Sequence, residues 1–481
     1  MLILFCISVV IGAVGYHVLG FSFGEVVVLG ALWGALFVLL FRSKKSVVLA
    51  LALTGSVLVG ALRFSVVDTL EVPLGNQALT GVVARVDTRL EKTSLIVIPS
   101  GTTVRIQVST FEQQRVLPGD TISFRGVVAL PEDFSTETGR VFDYDGYLES
   151  RGVDAVMYRA QVVPLTEKNR EYRWEVVRIA TQVRLWIAAM LAQRIGFPID
   201  GIVGGMLVGF QGGIPSFISD LFRQTGTLHT LVLSGYNITV LAGFLGFLFR
   251  RFPFRAKTIL IFFGVIVLVV VSGSGVAAVR AGIMGSIALF AGATLNTYHT
   301  LRALLVAFLF FFFFHPLTVF VDPGFHLSFL ATLFIIMFLP LLKGVFHWIP
   351  QKLQLQETLL LAVGLPLFTL PYTMYFSGMF PLITPLANIV MVPIIPILMF
   401  GGLLTVVLFW FSPLANLIGD IVSLFGNGVV ELLTLFSKAP SWNTPVISGW
   451  GVSVFYIFVV VVCFRKDILT FLLHLRTVFQ R

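Results

Sequence analysis

From Leu228 onward the chain is a succession of apolar stretches, most of them near the length that crosses a bilayer and parted from the next by short polar loops. A helix needs roughly 20 residues to traverse the hydrocarbon core, so such stretches read as spans. They are Leu228–Phe249, Thr258–Val271, Val276–Ala293, Leu304–Val321, Phe325–Leu342, Thr358–Phe376, Leu386–Phe411, Leu414–Phe436 and Val452–Phe464. Three more open the chain, at about Leu2–Leu19, Val26–Phe41 and Val47–Leu62. Only 12% of the 481 residues are charged, about half the share that a wetted globular surface carries. A soluble globular protein is excluded.

The loops set the orientation. Arg42, Ser43, Lys44 and Lys45 form a basic loop between the second and third stretches, and basic loops stay in the cytoplasm. Counting alternately from there places Arg250, Arg251, Arg255 and Lys257 inside, with Arg302, Lys343, Lys352 and the tail Arg465–Arg481. Lys438 alone falls outside. The expectation is about twelve crossings with both termini cytoplasmic, unless Gly201–Leu221 is a re-entrant piece. The net charge of +9 is explained first by this loop bias and does not by itself indicate an anionic partner. Cys6 and Cys463 lie in apolar segments at opposite ends, without metal-ligand spacing and without a disulfide framework. The first stretch lacks a basic start and a small-residue cleavage site, so a retained span is expected rather than a signal peptide.

Residues from about Asp68 to Lys168 contrast with this, since no window there could span a membrane. Alternating runs at Leu79–Val86, Ser94–Ile98, Thr103–Val108, Thr121–Val128 and Val153–Val163 predict strands, punctuated by turns such as Pro118–Gly119–Asp120. Five short strands point to a small barrel, with an OB-type barrel leading. Arg170–Arg194 reads as an amphipathic helix in the membrane interface, its arginines at headgroup level. A DNA-facing basic helix is the alternative. The fold class is therefore an α-helical polytopic membrane protein with an inserted extracytoplasmic β-barrel. Its parts are N-terminal helices (1–66), the barrel (67–168), the interfacial helix (169–200) and a membrane domain (201–481).

Polar residues inside the spans carry the chemistry. At 100° per residue, Thr227, Thr230, Ser234 and Asn237 share a helical face about 80° wide. Such a face must meet another helix or a watered cavity, and interhelical hydrogen bonding is the ordinary reading. His229 lies about 160° away from Thr227. Arg280 sits several residues inside an apolar span, where it costs roughly 2.5–3.5 kcal/mol and usually faces a bundle interior or aqueous path. A structural ion pair or snorkelling would also account for it. His326 and Ser328, at i and i+2, are expected on different faces. Pro393 and Pro396 suggest a broken helix beside Asn388. Asp420 and Glu431 share one face, which leaves proton coupling open. No HExxH, Walker loop or zinc motif occurs, and Ser234 with His326 is too little for a serine hydrolase. No catalytic residue, metal or cofactor is expected.

Taken together these stretches resemble the ComEC family of competence proteins. The family's Thr-Gly-x-x-His-x-x-x-x-Ser-Gly pattern is met by Thr225, Gly226, His229, Ser234 and Gly235, and Arg-Ala-x-x-Met by Arg280, Ala281 and Met284. Phe-x-Leu-Ser-Phe-x-Ala-Thr is met by Phe325, Leu327, Ser328, Phe329, Ala331 and Thr332, and Asn-x-x-x-x-Pro by Asn388 and Pro393. Phe142–Val153 resembles the end of the family's OB domain. The resemblance implies an inner-membrane channel that conducts one strand of DNA inward during natural transformation. Membrane lipid, a periplasmic DNA receptor and a cytoplasmic helicase or DNA-binding protein would be its partners. It makes Thr227, His229, Thr230, Ser234, Asn237, Arg280, His326, Ser328 and Asn388 candidates for the DNA path. On the barrel, Arg85, Arg89, Lys92, Arg105, Arg115 and Arg125 are candidate DNA contacts, although Tyr and Trp are scarce there for stacking. Many members end in a metallo-β-lactamase-like domain. This sequence runs to Arg481 without a His-x-His-x-Asp-His motif, so a short form is expected, either served by a separate nuclease or lacking that step. A small-solute transporter or an intramembrane enzyme is the alternative function.

Overall fold

A computed structural model describes residues 2–14, 54–60, 72–112 (without 91), 116–135, 141–168, 171–231, 234–294, 297–351, 355–443 and 449–463, with isolated residues at 26, 28, 30, 32 and 62. The expected spans Val26–Phe41 and Val47–Leu62, the Arg42–Lys45 loop, Arg115, Lys352 and the tail beyond Cys463 lie mostly or wholly outside these residues. The chain divides into two units. One comprises Met1–Leu70, Leu301–Phe320 and Ser448–Arg481; the other comprises Glu71–Thr300 and Val321–Ile447.

The larger unit begins with the barrel. Its strands are β1 (Gly75–Thr88), β2 (Thr93–Pro99), β3 (Ile106–Thr110), β4 (Asp120–Ala129), a small hairpin of β5 (Phe134–Ser135) and β6 (Val141–Phe142), then β7 (Ala155–Met157) and β8 (Gln161–Lys168). The run expected as one strand at Val153–Val163 is two, because the chain turns through Arg159 at φ 53°. Five strands close a ring in the order β1–β2–β3–β7–β4, with β4 returning to β1 and β8 added alongside β4. Only β3–β7 is parallel within the ring. Strict alternation of inward and outward residues, clearest along β2, fills the ring with Val83, Leu95, Val97, Ile106, Val108, Ile122, Phe124 and Met157. The register slips twice, between Val83 and Arg85 on β1 and between Asp120 and Ile122 on β4. Such irregularities bend a strand and re-aim side chains at a barrel rim.

Seven stretches among the described residues are long and apolar enough to cross a membrane. All belong to the larger unit. After α1 (Leu2–Ala13) in the smaller unit, the helices are α2 (Tyr144–Glu149), α3 (Tyr172–Arg194), α4 (Ile199–Val208), α5 (Ser216–Gln224), α6 (Gly235–Leu248), α7 (Phe254–Val271) and α8 (Val276–Ala293). Then follow α9 (Thr300–Phe314), α10 (Pro316–Val321), and α11 (Pro323–Leu333), which runs through a π-turn at Phe334–Phe338 into α12 (Leu339–Val345). The series closes with α13 (Leu355–Ser377), α14 (Thr384–Val407), α15 (Ser412–Phe436) and α16 (Gly449–Cys463). In the smaller unit, the span expected at Leu304–Val321 is two helices, because Pro316 brings no N–H to continue α9. Within the Phe310–Phe314 run, Phe311 and Phe312 are buried and the other three are exposed. Pro393 and Pro396, expected to break a helix, lie inside the continuous α14.

Short α4 forms the centre of the larger unit. Every residue but Asp200 is buried, as expected for a helix that is apolar all round. It packs with α3, α14 and α15 into one core that includes Leu191, Ile202, Met206, Met391, Leu398 and Val422. Three of the arginines of α3 engage protein. Arg178 pairs with Asp120 of the barrel at 2.6 Å. Arg194 bonds Asn416 and, at 3.1 Å, Ser412 of α15. Arg184 turns towards the barrel and the loop before α8. Arg173 is exposed and pairs with Glu171. A second tie to the barrel joins Arg151, just after α2, to Asp322 at the start of α11 (3.9 Å), and Phe142 to Phe376 edge-to-face at 5.5 Å.

Ile122 is wholly buried in the ring, so Ile122→Ala should cost roughly 2–5 kcal/mol, read as a lowered urea midpoint. Asp120 and Arg178 each retain 16% side-chain exposure. Asp120→Asn strands the guanidinium and should destabilise by about 1–3 kcal/mol; an unchanged thermal midpoint would show that this pair does not seat the barrel.

Candidate functional site

Arg280 lies about one turn inside α8, near 6 Å of axial rise from Val276. Its guanidinium crosses to α11, where Nε–H donates to Ser328 Oγ at 2.8 Å and Nη1–H to Thr332 Oγ1. Ser328 and Thr332 are one turn apart, and the Thr332 hydroxyl itself donates to the Ser328 carbonyl at 3.0 Å. Met284 Sδ, one turn along α8, stands 3.6 Å from Nη1. The remaining nitrogen, Nη2, faces the start of α6, where a Cβ on Gly235 would sit 2.6 Å away. Only glycine leaves room for it. Three separated sequence patterns, at Ser234–Gly235, Arg280–Met284 and Ser328–Thr332, therefore meet at one side chain.

The energetics suit a cation kept in place without a counter-ion. Hydrogen bonds from a charged donor contribute about 1.5–3 kcal/mol each, enough for two of them to offset the roughly 2.5–3.5 kcal/mol cost of arginine in a span. No carboxylate lies within ion-pair distance among the described residues. The positive charge is thus held but not neutralised, and Nη2 has no hydrogen-bond partner there. The sequence left an ion pair open as the explanation of Arg280; the structure gives hydroxyls.

The polar stretch before α6 is not one helical face. Leu228–Thr230 is a 3₁₀ turn, and α6 begins only at Gly235 with Ser234 extended as its cap. Thr227 and Thr230 secure the turn: Thr225 and Thr227 hydroxyls are 2.9 Å apart, and Thr230 Oγ1 donates to the Thr227 carbonyl at 2.8 Å. Asn237 N–H donates to Ser234 Oγ (3.3 Å), Ser234 Oγ–H to Asn237 Oδ1 (2.9 Å), and Asn237 Nδ2–H to the Met206 carbonyl of α4 (3.1 Å). These residues lock α6 to the central helix, the interhelical role that was the ordinary reading. His229 is exposed on the 3₁₀ turn.

His326 and Ser328 diverge as their spacing requires. Ser328 holds Arg280, while His326 Nδ1 and the Tyr372 hydroxyl of α13 share a 2.6 Å hydrogen bond. Ser234 and His326 are thus engaged with different partners. Asn388 is buried on α14, with Oδ1 lacking a hydrogen-bond partner among the described residues. One turn before it, Thr384 lies against Gly226 and donates to the Pro381 carbonyl at 2.7 Å. Asp420 and Glu431 are exposed on α15.

The barrel candidates do not form one track. Arg89 and Lys92 lie at the β1–β2 turn, which Arg89 N–H closes on the Lys92 carbonyl at 2.9 Å, while Arg85 lies further back on β1 opposite Ile96. Burial, then neighbouring Arg89, holds the Lys92 ammonium below its ordinary pKa. Arg105, at the start of β3, faces the end of α2, where a Cβ on Gly152 would lie 2.8 Å from its Nη1. Arg125 pairs opposite Ala78, far along β1 from Arg85. Sequence reasoning missed an aromatic patch beside these cations. Phe142 lies 5.3 Å from Phe134 and 5.7 Å from Tyr147, Arg151 stacks on Tyr147 at 4.3 Å, and Lys92 approaches Tyr158 at 5.8 Å. Burial and a bond to Tyr144 push the Tyr158 phenol up to about 12. The rings come from the small hairpin, α2 and the turn after β7, so no single strand's pattern announces them. Tyr372 was missed too, one of two tyrosines in a mostly apolar span.

A family model described as Competence protein matches residues 206–468, which contain every membrane residue of this site. ComE operon protein 3 of Bacillus subtilis (strain 168) is 24% identical over 296 residues, covering 60% of this chain. The match takes in 36% of that relative's length. No solved structure matches. The chain belongs to the competence protein family of ComEC type.

Proposed function

We propose that this chain forms the passage by which single-stranded DNA crosses the inner membrane during natural transformation. The observation that carries the reading is Arg280, a guanidinium fixed inside the membrane bundle by neutral hydroxyls, with no carboxylate in ion-pair distance among the described residues. Phosphodiesters supply one negative charge per nucleotide, and a planar guanidinium suits them better than any other side chain. A sequence-blind channel needs this kind of contact, since backbone charge is common to every sequence. Nη2, facing the gap left by Gly235, is the edge that would meet the strand.

The barrel supports the same reading. Its ring order, with one parallel pair, fits an OB-type barrel, a fold that binds oligonucleotides. Cations interleaved with aromatic rings are what single-strand grooves use, and Arg151 on Tyr147 and Lys92 near Tyr158 provide both. We place the barrel outside the cytoplasm and the bundle across about twelve spans, following the loop charges. A DNA receptor on the outer side and a helicase or DNA-binding protein inside complete the route.

Deletion of the gene should abolish transformation while labelled DNA still reaches a compartment protected from external nuclease. Transformants at the parental frequency would move a small-solute transporter or a membrane enzyme ahead. In a complemented strain, Arg280→Ala should leave the protein in the membrane yet reduce transformation to the level of the deletion. Arg280→Lys, which keeps the charge and loses the planar fork, should fall between the two. Normal transformation by Arg280→Ala would remove that residue from the path.

A further inference from the structure

Where β1 approaches the membrane helices, two arginines from different elements converge on one turn. Arg85 follows the register slip on β1, and Arg184 projects from α3. A Cβ on Gly273, between α7 and α8, would lie 3.2 Å from Arg184 Nη1 and 3.7 Å from Arg85 Nη2. Gly273 and Ser274 are both left-handed, at φ 83° and 56°. Their N–H groups donate to the Val270 and Val269 carbonyls at 3.0 Å each, closing α7 in a Schellman motif. The turn is fixed, and its donors are already used.

Neither arginine has a carboxylate within ion-pair distance among the described residues. Arg184 has one weak contact, to Thr181 Oγ1 at 3.5 Å. Arg178 on the same helix shows the contrast, since the barrel gives it Asp120. Burial, then the proximity of Arg85, makes the Arg184 guanidinium less basic than usual, with Asp87 acting the other way. Arg184 is half-buried and Arg85 exposed, and two like charges brought together there oppose each other unless an anion joins them. Along α8, Arg280 follows within about 6 Å of the helix start.

We propose that Arg85 and Arg184 form a phosphodiester clamp, gripping one backbone phosphate of a single DNA strand as it leaves the barrel and before it meets Arg280. This rests on the channel reading above. Two guanidinium forks converging on one tetrahedral anion give charge-assisted, paired hydrogen bonds that ignore base identity. A lipid headgroup offers the same group. Nucleic acid is favoured because the positive charge continues through Arg89 and Lys92 to the Tyr158 and Tyr147 rings, and bases use such rings while headgroups do not.

The test is binding of a fluorescein-labelled oligothymidylate to the full chain in phosphatidylcholine nanodiscs, followed by anisotropy at several salt concentrations. Arg85→Ala and Arg184→Ala should each weaken binding about tenfold, the loss of one charged hydrogen-bonding partner. The double variant should lose little more than either single one, because both groups serve one phosphate. The slope of log affinity against log salt should fall by about 0.7 in the double variant. Arg184→Lys keeps the charge and guards against a folding artefact; it should hold the slope while weakening binding severalfold. Arg173→Ala, exposed and paired with Glu171, serves as the control and should bind as the parent does. If the parent binds and all variants bind equally, the clamp is overturned and the channel reading stands. If the parent does not bind, both fall. Variants that lose retention of phosphatidylglycerol without losing oligonucleotide affinity would assign the pair to lipid and overturn the proposal.

Discussion

A charged side chain inside a membrane bundle must be satisfied by its neighbours, and how Arg280 is satisfied governs the rest of this structure. Hydroxyls at Ser328 and Thr332 hold two of its nitrogens, and Gly235 makes way for the third. A carboxylate in either hydroxyl's place would have cancelled the charge. Neutral donors and acceptors position a cation while leaving its field intact, and in a low-dielectric setting that field reaches further than in water. Three helices are thereby committed to one another: α8 supplies the cation, α11 the anchors and α6 the gap. Asn237 then ties α6 to the central α4, so the site and the core of the unit share one scaffold.

The barrel is seated by the same logic of paired and unpaired arginines. Arg178 is neutralised by Asp120, and that ion pair lies beside one of the two register slips. Arg85 lies beside the other slip and, with Arg184, against the Gly273 turn. One irregularity thus lies where the barrel joins α3, and the second where Arg85 approaches Arg184. The Arg151–Asp322 contact links the barrel to α11, the helix that anchors Arg280.

Much of this was legible before any coordinates, and the reasons are physical. Arg280 stood out because an arginine within an apolar span is costly, and Ser328 because it followed a recognisable pattern. Alternation, which burial on one face enforces, marks the first four expected strands to within a few residues, whereas the run Val153–Val163 is two strands and the hairpin of β5 and β6 has no such signal. The failures concern partners. Helical periodicity can say that Thr227 and Asn237 might share a face, but not that Ser234 would cap a new helix and interrupt that face. It cannot say that Arg184 would meet Arg85, since these come from elements with independent patterns. Proline misled in both directions. Pro393 and Pro396 sit within an unbroken helix, whereas Pro316 starts a new one after His315. A proline marks a missing donor, and neighbours decide whether the backbone bends.

Closure of the barrel has its own consequence. Because β4 returns to β1, the five ring strands offer no open ladder of backbone donors and acceptors. The added strand β8 carries Pro164, a residue that discourages pairing on an exposed edge. An extended guest finds no free edge within the ring itself, and whatever the ring holds is held by side chains and loops. Grip of that kind rests on charge and ring stacking, so it loosens as ionic strength rises and re-forms with each step of a moving polymer. The topology thus favours a surface over which a chain slides above one on which it docks.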